Sequence, residues 1–275
     1  MEKNIEVLLS VMNIKNKEEF KEKIKENNIK SNVLAINQVN NIKYKFDYVE
    51  KNKCIYSYME RGASNSRNRL LENANGDICI FADDDVVFDN NYEEIIINEY
   101  DKNPDADIIV FYVKSMGKER EKNKKIGNKK INSLDIMRVR AYEVALKKDT
   151  IEKIKKNNIK FDKNFGPTGI FKKGEETIFF SDLYRKKFKM YSSNKLIGIV
   201  RHGESSWFKG FNKKYMFDQG AIFYRMNPKL YKLLILQYII RKFSLYNKNM
   251  SMIQAYKYML IGSIKCKKIY GEKSD

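Results

Sequence analysis

The 275-residue chain is poor in the residues that mark several protein classes: it has 3 Pro, 3 Cys, 1 His and 1 Trp. So little proline, beside 13 Gly, argues against a linker-rich or fibrous chain. The cysteines, Cys54, Cys79 and Cys266, are odd in number, far apart and without metal-ligand spacing. That speaks against a disulfide framework or a cysteine zinc site and for buried thiols in a reducing setting. A lone histidine excludes a multi-histidine zinc centre. No apolar run approaches the ~20 residues that span a bilayer. No basic segment followed by an apolar one precedes the first strand, so a cytoplasmic protein is expected.

Acid is also scarce, with 35 Asp+Glu against 54 Lys+Arg and a formal charge of +19. An excess of that sign suits nucleic acid, anionic lipid or an anionic small substrate. A plainer source competes with all three, because Lys, Asn and Ile dominate everywhere, as an AT-rich coding sequence dictates. The excess nevertheless clusters, in Lys118 to Lys130 and again after Asn227.

What is present is a globular composition, 43% hydrophobic and 13% aromatic. The run "IEVLLSV" (Ile5 to Val11) has the length of a buried strand, and "NKEEFKEKIKENN" after it places Phe20 and Ile24 on one face of a charged helix. "NVLAI", "CIYSYM", "DICIFA" and "DIIVFYV" predict further strands. "SNSRNRLLENANG" predicts a helix with Ser64 as N-cap and Gly76 just past its end, and another helix is expected around Tyr92 to Asp101. Strands that are apolar on both faces and alternate with helices predict an α/β fold, a mostly parallel central sheet flanked by helices.

The stretch "GDICIFADDDVVF" (Gly76 to Phe88) ends such a strand on three aspartates. Ligands of open α/β sheets bind outside the carboxyl ends of the strands. One aspartate there would be a helix cap or a solvated turn residue. Three adjacent carboxylates repel one another and are tolerated chiefly around a cation, and Mg²⁺ or Mn²⁺ takes carboxylate oxygen while bridging to substrate phosphates.

The longer stretch "ERGASNSRNRLLENANGDICIFADDDVVF" (Glu60 to Phe88) resembles the nucleotide-sugar core of family 2 glycosyltransferases. It is similar in particular to bacterial enzymes that build capsule and other surface polysaccharides. The resemblance implies a Rossmann-like GT-A fold and a nucleoside-diphosphate sugar, a UDP-sugar, bound with Mn²⁺ or Mg²⁺. It puts Asp83 and Asp85 in the Asp-x-Asp positions, Asp85 as metal ligand and Asp83 toward metal or ribose, with Asp84 in the variable place. It implies nucleotide-sugar contacts from Ser10, Met12 and Asn13 after the first strand and from Gly62, Ser64, Arg67 and Asn68 around the following helix. Two departures stand out. The family's acid after the second strand is missing from "INQVNN", which leaves Asn37 or Gln38 to read the base. The family's Gly-Glu-Asp is "GEET" here, so the general base of an inverting transfer falls on Glu176, with Glu175 the second choice. Acids in a helix's first turn also favour its dipole without any catalysis.

His202 follows the apolar run "LIGIV" and is a candidate third metal ligand, or a hydrogen-bonded residue of no catalytic role. Trp207 is a candidate platform for a sugar ring, or core packing. A catalytic domain is expected over 1–226 and a basic, apolar helical appendage over 227–275. That appendage packs on the catalytic domain or lies on an anionic membrane surface, on the inner face of the plasma membrane, where a lipid-linked or growing surface glycan accepts the sugar. Two other readings stay open: a catalytically degenerate nucleotide-sugar binder, and a basic nucleic-acid-binding protein. For the last there is no zinc spacing and no RNP-like aromatic strand, so no nucleic-acid partner is expected.

Overall fold

A computed structural model describes residues 3–116, 127–201 and 210–271. His202, Trp207 and residues 118–126 of the basic stretch lie outside the described residues. Strand β1 (Ile5–Met12) leads through helix α1 (Lys17–Glu26) to β2 (Asn32–Gln38), then to the hairpin of β3 (Tyr48–Glu50) and β4 (Lys53–Tyr58). Helix α2 (Ala63–Asn73), β5 (Ile78–Asp83), β6 (Val86–Phe88), helix α3 (Tyr92–Lys102) and β7 (Ile108–Ser115) follow. The chain continues through β8 (Lys129–Lys130), β9 (Val144–Lys147), helices α4 (Lys148–Lys156) and α5 (Glu175–Arg185), and β10 (Met190–Val200). It ends in α6 (Lys213–Met226), α7 (Tyr231–Arg241), α8 (Phe243–Tyr246) and α9 (Met252–Tyr270).

The strands form one ten-stranded sheet in the order β3-β4-β2-β1-β5-β9-β7-β10-β6, with β8 against β10. β4, β2, β1 and β5 are mutually parallel, as are β7 and β10. The short β9 lies antiparallel between β5 and β7. Alternation along each strand feeds two cores. Val7, Leu9, Ile78 and Ile80 meet Phe20, Ile24, Tyr92 and Ile96 of α1 and α3 on one face. Leu8, Cys79 and Phe81 meet Leu70, Ile151, Phe179 and Leu183 of α2, α4 and α5 on the other. Both faces are covered, which is why these strands read as continuous apolar runs.

The start of α2 differs from expectation. Gly62 is its N-cap, with φ 117, and Ser64 is a buried first-turn residue. The reason is a bond from a distant part of the chain: Gly62 donates its N–H to Gln38 Oε1 at 2.8 Å from a backbone conformation that favours glycine.

The chain divides into two compact units, Met1–Phe161 with Phe179–Glu204, and Asp162–Ile178 with Ser205–Asp275. Packing groups α6 and the 162–178 segment with the C-terminal helices. Within the second unit α6 and α9 cross at two glycines. A Cβ on Gly220 would stand 1.9 Å from Met259 O, and one on Gly262 1.8 Å from Phe217 O. Ser263 Oγ donates to Gly220 O at 2.9 Å across the same crossing. Phe165 and Phe171 of the 162–178 segment share a core with Ile222 and Cys266. Among the described residues no helix is long and apolar enough to cross a membrane.

Because no side chain of α6 fits at that crossing, Gly220→Ala must push two backbones apart. The variant is expected to lose about 1–3 kcal/mol of stability, read as a lower thermal midpoint. A variant that melts with the parent would show that the helices separate at no cost.

Candidate active site

The chain runs outward from β1 through β2 to β4, then returns to the other side of β1 as β5. The carboxyl ends of β1 and β5 therefore mark a topological switch point, where a crevice opens in sheets of this kind. Register brings Ser10 opposite both Ile36 and Asp83, and Met12 opposite Gln38, which in turn faces Tyr58. Ser10 Oγ and Ser66 Oγ of α2 are hydrogen-bonded at 2.8 Å.

Arg67 and Asp83 meet at this point. Arg67 Nη2 stands 3.3 Å from both carboxylate oxygens of Asp83, and the Arg67 guanidinium carbon lies 5.7 Å from the centre of the Phe161 ring. Arg67 is 4% exposed, and a guanidinium so buried requires a charge partner. Its neighbour Asn68 is spent on the fold: Nδ2 donates to Phe161 O at 2.9 Å and Oδ1 accepts from Phe161 N at 2.8 Å.

The two amides after β2 part in the same way. Asn37 is fully buried, accepts from Ile14 N at 3.0 Å and donates to Ile14 O at 2.8 Å and to Ser57 Oγ at 2.9 Å. Gln38 uses its carbonyl on Gly62, while its Nε2 makes no hydrogen bond among the described residues. Asn13 follows Met12 with φ 56 and a buried Oδ1 that has no partner among the described residues. Met12 is 45% exposed at the strand end.

The aspartate turn joins β5 to β6 and is held from both sides. Phe88 N donates to Asn27 O at 3.0 Å and Asn28 Nδ2 to Phe88 O at 2.9 Å, so the end of α1 fastens β6. Arg201 N donates to Asp85 O at 2.9 Å, which ties the end of β10 to the turn. Burial and the Asp83 charge beside it push the Asp84 carboxyl above the usual range, against the attraction of Lys23. Crowded hard-oxygen donors at a strand end fit Mg²⁺ or Mn²⁺, which take one or two carboxylates and complete their coordination with water and substrate phosphate. No group of three or more metal-ligating side chains stands among the described residues.

Glu175 and Glu176 form the first turn of α5 in the second unit. The Glu175 carboxyl lies against Gly166, where an added Cβ would stand 3.2 Å from Oε2. The loop before them is gripped by α6 residue by residue. Lys214 Nζ donates to Ile170 O at 3.1 Å and pairs with Asp218, and Lys173 Nζ donates to Gln219 Oε1 at 2.7 Å. The Lys173 amine also stands 3.2 Å from the centre of the Tyr215 ring. Gly174, with φ 98, leaves room for Ile222, whose Cδ1 would be 2.5 Å from a Cβ. Burial lowers the Lys173 amine from 10.5 to about 7, Asp218 opposing and Lys214 reinforcing the shift.

Ser10, Arg67 and Asp83 are thus brought together, with Gln38, Gly62 and Asn13 at the same strand ends, while Asn37 and Asn68 serve the scaffold. Sequence reasoning missed Ser66, Asn27 and Phe161, as well as the α6 grip through Lys173, Lys214 and Gln219. Ser66 carried a signal, one turn from Gly62 in the quoted motif. Phe161 carried none.

The model of the Glycosyl transferase family 2 matches residues 43–179. No curated protein sequence matches the chain. Among solved structures, S. aureus TarS 1-349 in complex with UDP-GlcNAc superposes with a TM-score of 0.63 at 15% identity, over 98% of this chain and 90% of that one. The same S. aureus protein with UDP gives 0.61 at 13% identity, over 98% and 92%. The mannosyltransferase PcManGT from Pyrobaculum calidifontis in complex with GDP-Man and Mn²⁺ gives 0.52 at 10% identity, over 100% and 77%. At such identities the likeness concerns the fold, which is GT-A. Since the matched segment runs from the loop after β2 through the aspartate turn into α5, the chain belongs to glycosyl transferase family 2 and is a glycosyltransferase.

Proposed function

We propose that the enzyme transfers a sugar from a UDP-sugar, with a divalent cation, to a hydroxyl of a bacterial surface glycan or lipid-linked acceptor at the inner face of the membrane. The observation that carries this is the Arg67–Asp83 pair at the β1–β5 switch point, with the aspartate turn directly after it. Asp83 is oriented there by a fixed positive charge, and Asp83 and Asp85 are the carboxylates we assign to the cation that meets the donor's diphosphate. When bound, Mn²⁺ or Mg²⁺ neutralises charge on the leaving diphosphate. TarS and PcManGT were solved with UDP-GlcNAc and with GDP-Man and Mn²⁺, which supports a donor of this class.

In the transfer the acceptor oxygen bonds to the anomeric carbon, the bond from that carbon to the diphosphate oxygen breaks, and the acceptor proton passes to a carboxylate. We assign that role to Glu176 and expect inversion. Glu175 turns toward Gly166, and Gly174 with the α6 grip holds the turn that carries both acids. On the donor side, the buried Asn13 Oδ1 offers an acceptor and the Gln38 amide nitrogen a donor to a base edge. Both suit the mixed donor and acceptor edge of uracil.

Donor binding and turnover across UDP-, GDP- and CDP-sugars, with Mn²⁺ and with the ion chelated, test the reading first. Metal-dependent binding of a UDP-sugar is expected, and failure to bind or turn over any donor in Mn²⁺ overturns it. Asp85→Ala is expected to abolish metal-dependent binding, whereas Glu176→Gln keeps donor affinity and loses transfer by about a hundredfold or more. Retained transfer in the Gln variant moves the base elsewhere.

The amides divide the same way. Gln38→Ala is expected to weaken UDP-sugar binding about tenfold and to lower the melting midpoint less than Asn37→Ala does, since it gives up one bond, to Gly62, where Asn37 gives up three. Asn37→Ala should cost on the order of 2–3 kcal/mol of stability by stranding buried backbone groups. The reverse pattern would make Asn37 the base reader.

Lys173 supplies a pH test of the loop grip. Its folded value of about 7 lies below its ordinary 10.5, so between the two the unfolded chain holds a proton that the folded chain lacks. Stability contributed at this site therefore rises with pH from about 7 toward 10.5 and is flat below 7. The difference in thermal midpoint between the parent and Lys173→Met should change in that window, in the parent's favour as pH rises. A constant difference would remove Lys173 from the linkage.

A further inference from the structure

Helix α7 is apolar on two sides. Ile235 and Ile239 are buried, while Leu233, Leu236 and Ile240, at i, i+3 and i+7 on the opposite side, are 62%, 50% and 58% exposed. Single exposed leucines are ordinary, but a stripe at helical spacing is an unpartnered face. The same character continues through Phe243 and Leu245 of α8, 40% and 50% exposed. In α9 the outward positions Ile253, Lys257, Ile264 and Lys268 interleave aliphatic and basic residues, opposite buried Ala255, Met259 and Cys266. Every charged side chain between Pro228 and Gly271 is Lys or Arg. Lys232 and Arg241 border the α7 stripe, long side chains whose stems lie along apolar surface while their heads reach out.

We infer that the outward face of α7 and α8 docks on an anionic lipid surface, with Leu233, Leu236 and Ile240 entering the boundary between headgroups and acyl chains. Lys232, Arg241 and Lys242 then meet lipid phosphates. The charge pattern selects this occupant. A second copy of the chain would bring two basic faces together with no acid in either segment to neutralise them. A polynucleotide would satisfy the lysines and leave the leucines in water. An interfacial helix uses both, lying in the membrane plane with its apolar side down and its cations at the phosphates. Neither α7 nor α9 is a spanning helix.

This deepens the placement of the enzyme at a membrane face, and its test needs no sugar donor, so its failure and that of the transfer reading are separable. The full chain is sedimented with vesicles of phosphatidylcholine alone and of phosphatidylcholine with phosphatidylglycerol, at low and high salt. Binding to the anionic vesicles alone, weakened by salt, is expected. The triple variant Leu233→Ser, Leu236→Ser, Ile240→Ser and the charge variant Lys232→Gln, Arg241→Gln, Lys242→Gln should each lower the partition about tenfold or more. These side chains lie at the surface, so both variants should keep the parent's melting curve and its donor affinity. Three outcomes overturn the inference: no sedimentation with anionic vesicles, undiminished binding by the triple variant, or a parent dimer in size-exclusion chromatography that the triple variant dissociates.

Discussion

Arg67 carries a permanent charge into a nearly closed interior, and the donor side of the molecule is arranged around holding it. A guanidinium at 4% exposure is strongly destabilising unless it is paired and hydrogen-bonded. Asp83 supplies the countercharge from the end of β5, and the Phe161 ring supplies a negative π-face. The pairing sets the rotation of α2 against the sheet, because Arg67 must face β5 while Ser66 meets Ser10 on β1 and Asn68 meets the backbone at Phe161. Three consecutive residues of one helix thus clamp three separate pieces of chain. Asp83 is then held at the switch point with its orientation decided before any ligand arrives.

That constraint explains the turn beyond Asp83. Three carboxylates in sequence repel one another, and burial first, with the Asp83 charge second, raises the Asp84 carboxyl. The turn is kept by bonds to main-chain groups from two directions, from Asn27 and the Asn28 side chain at the end of α1 and from Arg201 at the end of β10. Side chains of the turn therefore do not have to hold it together. A chain of charge +19 spends acid sparingly, and placing three aspartates in one turn while residues 228–271 contain no acid separates two electrostatic tasks on one molecule. In the proposed reading, cation and phosphate chemistry falls to the aspartate turn, and the anionic surface to the C-terminal helices.

Much of the sheet was legible because strands covered on both faces are written as short apolar runs. β1, β2, β5 and β7 follow that pattern, and α1 buries the expected face of Phe20 and Ile24. β9 was not legible: four residues antiparallel in the middle of the sheet have too little periodicity to separate from a loop. The N-cap of α2 was misread because serine is the statistical choice, whereas the deciding bond comes from Gln38, 24 residues away. Asn68 reads as a ligand residue from its motif, yet its amide is matched to a backbone 93 residues later, and no local pattern encodes that. The grouping of α6 with α9 rests on Gly220 and Gly262, which in sequence are two unremarkable glycines in helical runs.

The candidate base poses the opposite problem to the donor side. Asp83 is oriented by a buried ion pair, but Glu175 and Glu176 begin a helix after a loop containing Gly166, Gly169 and Gly174, and a glycine-bearing loop has more conformations to lose. The α6 grip answers this by shape and hydrogen bonds. Lys214 takes the carbonyl of Ile170, Gln219 takes the amine of Lys173, and Ile222 fills the space that a side chain at position 174 would occupy. A glutamate in the proposed base position has one more rotatable bond than the family's aspartate, so its carboxylate is less well fixed by its own backbone. Tighter anchoring of the preceding loop compensates for that freedom, since fewer loop states remain over which the longer side chain is averaged. On this argument α6, which has no candidate catalytic group of its own, is the element through which a Glu-for-Asp exchange is made tolerable.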